Sequence, residues 1–206
     1  MPVQSPPSWA SDYTIRRPRR PGRIRRIAVS GSSTWPMRLP GWREIVTDAL
    51  DDQLRRLTAG DTLIIRHGDA SKGVDRIASQ WVEANLKVAF LAGITLAEET
   101  VPADWEHCAP TCRPEHRRVN AKGIRGAGKT FCPSAGHRRN PDIPTHPDYP
   151  VDLLLAFCLN NSPGTSKTVE YARRAEVNHR TWHAYRKPKP RAAAVPAAAV
   201  GVRDAA

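Results

Sequence analysis

His67-Gly68-Asp69-Ala70-Ser71-Lys72-Gly73-Val74-Asp75-Arg76 is the stretch from which the fold can be read. It follows an apolar run, Thr62-Leu63-Ile64-Ile65. It also opens a segment in which Val74, Ile77, Ala78, Trp81 and Val82 recur at helical spacing. A buried strand, a turn of small residues and a helix start together present backbone N–H groups to an anion. The pattern predicts a strand over 62–66, the turn, and a helix from Val74 to about Leu86.

Working outward, Arg26-Ile27-Ala28-Val29-Ser30 is a short β-branched run that ends in Gly31-Ser32-Ser33, a strand leading into a turn. Between the two strands, Trp42, Ile45, Val46, Ala49, Leu50, Leu54 and Leu57 keep the i, i+3, i+4 spacing of an amphipathic helix. Pro40-Gly41 marks its start and Gly60 its stop. Downstream, Lys87-Val88-Ala89-Phe90-Leu91 reads as a third strand. The order β-α-β-α-β with short joints implies a parallel sheet wrapped by right-handed crossovers. Residues 92–106 carry no clear period. Residues 151–158 return as a central strand, apolar on both faces. The turn from Asn160 to Thr165 leads into a helix over 168–177, and 181–185 suits an edge strand.

A chain of 206 residues with 40% hydrophobic content suits one domain with a buried core. Its net charge of +12 is unevenly placed. Residues 1–26 hold seven Arg against Asp12, residues 186–206 five Lys/Arg against Asp204, and residues 107–140 eight basic residues against Glu115. The basicity thus belongs to two tails and one insert. The expected layout is a basic arm over 1–25, a domain over 26–185 with a loop insert at 107–140, and a Pro/Ala tail over 186–206. The arms suit either solubility or contact with nucleic acid. Four irregularly spaced Cys make no disulfide framework, and no run approaches the ~20 apolar residues of a membrane span. A cytoplasmic protein with no membrane partner is expected.

Three strand ends carry small, hydroxyl-bearing turns: Gly31-Ser32-Ser33, the 68–73 turn, and Ser162-Pro163-Gly164-Thr165-Ser166. In a parallel sheet the C-terminal strand ends share one rim, where ligands bind. Gly allows close backbone approach, and Ser or Thr adds donors for phosphate or ribose oxygens. Ser32, Ser33 and the N–H groups after Gly31 are candidates for one phosphate, with Lys72 as a point charge. Gly164, Thr165 and Ser166 are candidates for a second anionic or ribose group at a helix N-terminus. Asp75, in the first turn of its helix, is a further candidate at the nucleotide site, with the dipole alone favouring an acid there as the alternative.

These motifs resemble a family. The segments Ile27-Ala28-Val29-Ser30-Gly31-Ser32, His67 through Arg76, Pro102-Ala103-Asp104-Trp105, Ala135-Gly136-His137-Arg138-Arg139-Asn140, Asp152 with Leu155-Ala156-Phe157, and Ser162-Pro163-Gly164-Thr165 look like the YspA-related branch of the SLOG superfamily. Asp69 stands where that branch usually has Gly. Over roughly residues 26–180 the resemblance implies an α/β, Rossmann-like three-layer sandwich with a mostly parallel sheet. It also implies binding of a nucleotide or nucleotide-derived small molecule, with His67, Gly68, Gly73, Arg139 and Asn140 joining the site and Arg139 suited to a bidentate phosphate contact. Relatives in the superfamily cut nucleotide N-glycosidic bonds using Pro-Gly-Gly-x-Gly-Thr-x-x-Glu. Here Gly164-Thr165 match, but the Glu position is Thr168, and Glu170 falls on the opposite helix face. Asp69 and Asp104 are the candidate carboxylates if such chemistry occurs. Other relatives bind single-stranded DNA by stacking, for which Trp35 and Trp105 are the residues at hand.

Two further patterns lie in the insert. Gly123-Ile124-Arg125-Gly126-Ala127-Gly128-Lys129-Thr130 matches a P-loop by letter, but no apolar strand leads in and Pro133 follows closely. Cys108, Cys112, His116, Cys132 and His137 have spacings that suit a structural zinc site. Cys112, His116 and Cys132 would be joined by Cys108 or His137, with His107 competing, and free thiols are the alternative. The overall expectation is a ligand sensor or sequestering protein, as a homo-oligomer, with a nucleotide hydrolase and a DNA-binding protein as rivals.

Overall fold

Ile24–Gly31 forms β1, the strand on which the rest assembles. A computed structural model describes residues 22–119 and 128–185. In chain order, β1 is followed by α1 (Trp42–Leu54), β2 (Thr62–His67), α2 (Val74–Leu91) and β3 (Thr95–Thr100). The insert contributes a 3₁₀ turn at Pro114–His116, the antiparallel pair β4 (Arg118–Val119) and β5 (Thr130–Phe131), and the short helix α3 (Ala135–Arg139), and the short helix α4 (Asp142–Thr145) follows it. The chain closes with β6 (Leu153–Leu159), α5 (Pro163–Arg174) and β7 (His179–Ala184). The basic arm, the Pro/Ala tail and most of the P-loop-like stretch lie outside the described residues.

The sheet has five parallel strands in the order β3-β2-β1-β6-β7, the Rossmann-like α/β sandwich that the alternating pattern predicts. Alternation along the central strands divides the core. Ile27, Val29, Leu153, Leu155 and Phe157 meet α1 and α2 on one face, while Ala28, Leu154 and Ala156 meet Ile143, Val169 and Ala172 of α4 and α5 on the other. The chain runs outward from β1 through β2 and β3 on one side, and from β6 through α5 to β7 on the other. The topology therefore reverses between β1 and β6. In such a sheet the crevice beyond the carboxyl ends of those two strands is the place for a ligand.

The third strand lies elsewhere than expected. Residues 87–91 are the last turns of α2, where Ala89 alone of Val88, Ala89, Phe90 and Leu91 is buried. The helix stops only at Gly93, which takes φ +72°. Gly93 N–H donates to the Phe90 carbonyl (2.9 Å) and Ile94 N–H to that of Ala89 (2.9 Å), a Schellman ending. The true third strand, Thr95-Leu96-Ala97-Glu98-Glu99-Thr100, hides behind two acids. Glu98 meets His67 Nε2 at 2.6 Å, and Glu99 pairs with both Arg66 and Arg26 at 2.9 Å. Arg66 is fully buried, so Glu99 is what makes its charge tolerable there. The last helix also starts earlier than expected, at Pro163, and ends by residue 174. No described helix is long and apolar enough to cross a membrane.

Candidate nucleotide cleft and metal centre

A cleft of about 320 Å³ opens at the switch point. Ser30 and Gly31 of β1 and Ser33 of the following turn form one side; Ser162, Gly164 and Thr165 at the start of α5 form another. Ala70 and Asp75 close it from the β2–α2 turn. The connection between β3 and β6, which contains the insert, supplies the remaining wall through Trp105, Pro133, Gly136, His137, Arg139, Asn140 and Ile143. Sequence reasoning had not assigned Ser30, Ala70, Trp105, Pro133, Gly136, Ile143 or Ser162 to the ligand site. Their signal is position rather than type: Ser30, Ala70, Trp105 and Pro133 lie at or after strand ends, Ser162 precedes α5, and Gly136 and Ile143 lie in the first turns of α3 and α4.

The α5 N-terminus carries no side-chain cap from Ser162, so its leading N–H groups and positive dipole end border the cleft. Thr165 gives its hydroxyl to Ser162 Oγ (3.3 Å), and Asn140 Nδ2 donates to the Gly164 carbonyl (3.4 Å), which ties the insert to that helix. Arg139 Nη1 donates to the Val101 carbonyl (3.0 Å), but its buried Nε has no partner. Burial pushes the Arg139 guanidinium down, an effect Asp75 and Asp69 partly offset. A phosphate beside it would reverse that desolvation cost.

Asp75 is 6% exposed and accepts the Ala70 N–H at 3.2 Å. Burial raises its pKa above the ordinary carboxylate value, against the opposing pull of His67 and Arg139. His67 is buried beneath the turn. Its Nδ1 accepts the Asp69 N–H (3.1 Å), which leaves Nε2 to carry the hydrogen given to Glu98. It orders the turn from below. Gly68 passes directly against the Arg139 guanidinium, and Gly73 adopts φ +74°, ψ −148°, a conformation that only glycine takes without strain.

Other expected contributors stand apart. Ser32 is buried, its Oγ accepting the Leu159 N–H (2.9 Å) and its own N–H going to Phe157 O (3.1 Å), so it staples β1 to β6. Lys72 and Asp69 are exposed and outside the cleft lining, Asp69 with φ +55°. Ser166 meets the core thiol Cys158 at 3.8 Å. Asp104 faces a different hollow and is held below the usual carboxylate range, chiefly by the His107 backbone N–H. Trp35 is 3% exposed, packed edge-on against Trp42 and Phe157, and so has no face to offer a base. Thr168 is buried and bonded to Gly164 O, whereas Glu170 pairs with Lys167 and Arg174 on the outside.

Behind the insert wall, the ligand atoms of Cys108, Cys112, His116 and Cys132 all lie within 4.8 Å of one another, a group that could hold a metal ion. A tetrahedral site with bonds of about 2.3 Å to sulfur needs a cluster of this size. Cys108 takes the fourth place. His137, the other possibility, instead lines the cleft, because α3 turns it away from Cys132 and Cys112. His107 bonds to Asp104 (3.0 Å) and is not in the group. Arg113 O accepts from His116 Nδ1, which leaves Nε2 toward the thiols. Arg138 Nη1 approaches Cys132 (3.3 Å) and Cys112 (3.5 Å), and Arg117 Nη1 approaches Cys108 (3.5 Å). These guanidiniums suit a group with excess thiolate charge. The Ser134 hydroxyl, then His116, holds the Cys132 thiol down at about 5.

Comparison of the chain with family models, with curated proteins and with solved structures yields no match.

Proposed function

We propose that this chain binds a nucleotide or a nucleotide-derived small molecule in the cleft between β1 and β6, as a sensor or sequestering protein. One observation carries the reading: at the topological switch point, the uncapped N-terminus of α5 and the partly unpartnered Arg139 border the same concavity. Two anion-attracting groups of different kinds suit a ligand with phosphate at one end. Ser30, Ser33 and Ser162 add hydroxyls suited to ribose or further phosphate oxygens. The resemblance of the turns to the YspA-related SLOG branch points the same way.

We further propose that Cys108, Cys112, His116 and Cys132 hold a structural zinc ion. Three thiolates and one imidazole suit its softness and geometry, and with all four positions filled by protein the metal would brace the insert rather than do chemistry.

Native mass spectrometry of the chain purified without chelator tests both parts, by a co-purifying ligand and by the mass of one metal ion. Titration with nucleoside mono- and diphosphates completes the test. Binding that Arg139→Met weakens supports the reading; binding indifferent to Arg139 and to Ser33→Ala removes it. Asp75 keeps the hydrolase alternative in view, since a buried carboxyl with a raised pKa suits a general acid. Release of free base from a nucleoside monophosphate, lost in Asp75→Asn, would favour that alternative.

A further inference from the structure

The opposite end of the sheet carries a second concave site that plays no part in the cleft. Where β1, β6 and β7 begin and α1 ends, Arg23, Arg25, Arg56 and Arg180 converge on a hollow of about 440 Å³. The acids in and beside it, Asp152 in its lining and Asp52 behind Arg56, are largely spoken for. Asp52 takes Arg56 through both oxygens (3.0 and 3.1 Å to Nη2) and Arg180 at 3.5 Å. Asp152 spends Oδ2 on the Arg26 N–H at 2.7 Å. Among the described residues, neither Arg23 nor Arg25 has a carboxylate at ion-pair distance.

Arg25 is the informative residue. Gln53, itself 1% exposed, uses Oε1 to hold Arg25 Nη2 at 2.9 Å and so fixes the guanidinium. The Arg25 Nε is shielded from solvent and has no partner. Burial, then the like charge of Arg23, pull its pKa down, with Arg56 and Arg180 adding to this; Asp152 opposes them without restoring the ordinary value. An ordinary surface arginine swings into water to avoid such company; this one is held in it by a buried amide.

We propose that this hollow binds the phosphate chain of a compact polyphosphate-class anion, independently of the cleft at the other rim. The choice of ligand follows from shape and charge. Guanidinium forks match phosphate oxygens two at a time, and the surplus positive charge calls for more than one negative charge in return. The arginines come from three separate elements around a concavity, which suits a small ligand better than a long strand.

The test is calorimetric titration of the full chain with tripolyphosphate, beside orthophosphate and a short oligothymidylate. Tripolyphosphate should show a binding event that depends on the arginines of this hollow, tighter than that of orthophosphate and weaker as salt rises. Arg25→Gln should weaken it about tenfold, the loss expected for one charged hydrogen-bonding group. Arg56→Gln with Arg180→Gln, both at more exposed positions, should do the same with circular dichroism unchanged, and Arg139→Met should have no effect. The proposal is overturned if tripolyphosphate does not bind, or if its binding responds to Arg139→Met and not to the other variants. Oligothymidylate binding more tightly through the same arginines would overturn the compact ligand in favour of a nucleic-acid backbone.

Discussion

The Arg139 guanidinium lies against Gly68 so closely that a Cβ on Gly68 would stand 1.5 Å from Nη1. Residues 71 positions apart are thereby joined: the turn after β2 needs glycine because an arginine from the insert crosses it. The obstacle is the far end of a flexible side chain, so Gly68→Ala should fold. It should displace Arg139 from the Val101 carbonyl and cost about 1.5–3 kcal/mol, the range for a lost hydrogen bond to a charged group. Affinity for the cleft ligand should fall with it. Thermal unfolding and nucleotide titration of the same variant check the two effects, and retained affinity would show that Arg139 is not a ligand contact.

Asp75 makes stability depend on pH in a direction that can be worked out. Burial raises its pKa in the folded chain above the unfolded value, so the folded state holds this proton more tightly. The resulting stability is complete below the ordinary carboxylate range and is lost as pH rises through the raised value. Asp75→Asn keeps an acceptor for the Ala70 N–H without the buried charge. Its stability relative to wild type should therefore improve as pH rises, then level off. Denaturant unfolding of both proteins across a pH series reads the difference; a variant that loses stability relative to wild type as pH rises would contradict the assignment.

Periodicity revealed most of the fold and little of the site wall. Val74, Ile77, Ala78, Trp81 and Val82 are all buried, as helical spacing requires. The misplaced third strand has a physical cause: Val88, Phe90 and Leu91 form an apolar run, yet they sit exposed at the end of a helix. Ala92-Gly93-Ile94, a glycine followed by an apolar residue, was the available signal for a Schellman ending there. Glu98 and Glu99 concealed the real strand, because their partners, His67 and Arg66 on adjacent β2 and Arg26 on β1 beyond it, cannot be paired from sequence. The zinc-type spacing was legible, but the fourth ligand was not. Choosing Cys108 over His137 depends on which side of α3 each residue occupies.

The end of α5 offers a stabilising change. Glu176 takes φ +56° in the same Schellman geometry that Gly93 completes at the end of α2, with Glu176 N–H donating to Arg173 O and Val177 N–H to Ala172 O. The left-handed conformation costs a side-chain-bearing residue roughly 1 kcal/mol, part of which glycine returns as entropy lost on folding. Glu176→Gly should raise stability by about 0.5–1 kcal/mol. A higher melting temperature with unchanged nucleotide titration is the expected result. The absence of glycine here also explains why apolar spacing carried the expected helix on to residue 177.

The metal group and the cleft share α3 and its lead-in. Cys132 and Arg138 face the thiols, while Pro133, Gly136, His137 and Arg139 face the cleft. A metal bound by Cys108, Cys112, His116 and Cys132 would fix the lead-in to α3 from behind, and with it the position of Arg139. Removing it with a chelator should loosen that wall and weaken nucleotide binding by about tenfold or more, the cost of losing one well-placed charged contact. Cys112→Ser should reproduce the effect and abolish the thiolate-to-metal absorption of the cobalt-substituted protein. His137→Ala should leave that absorption intact and alter only nucleotide affinity. If chelation removes the metal and nucleotide affinity is unchanged, α3 holds its place without the ion and the two sites are independent.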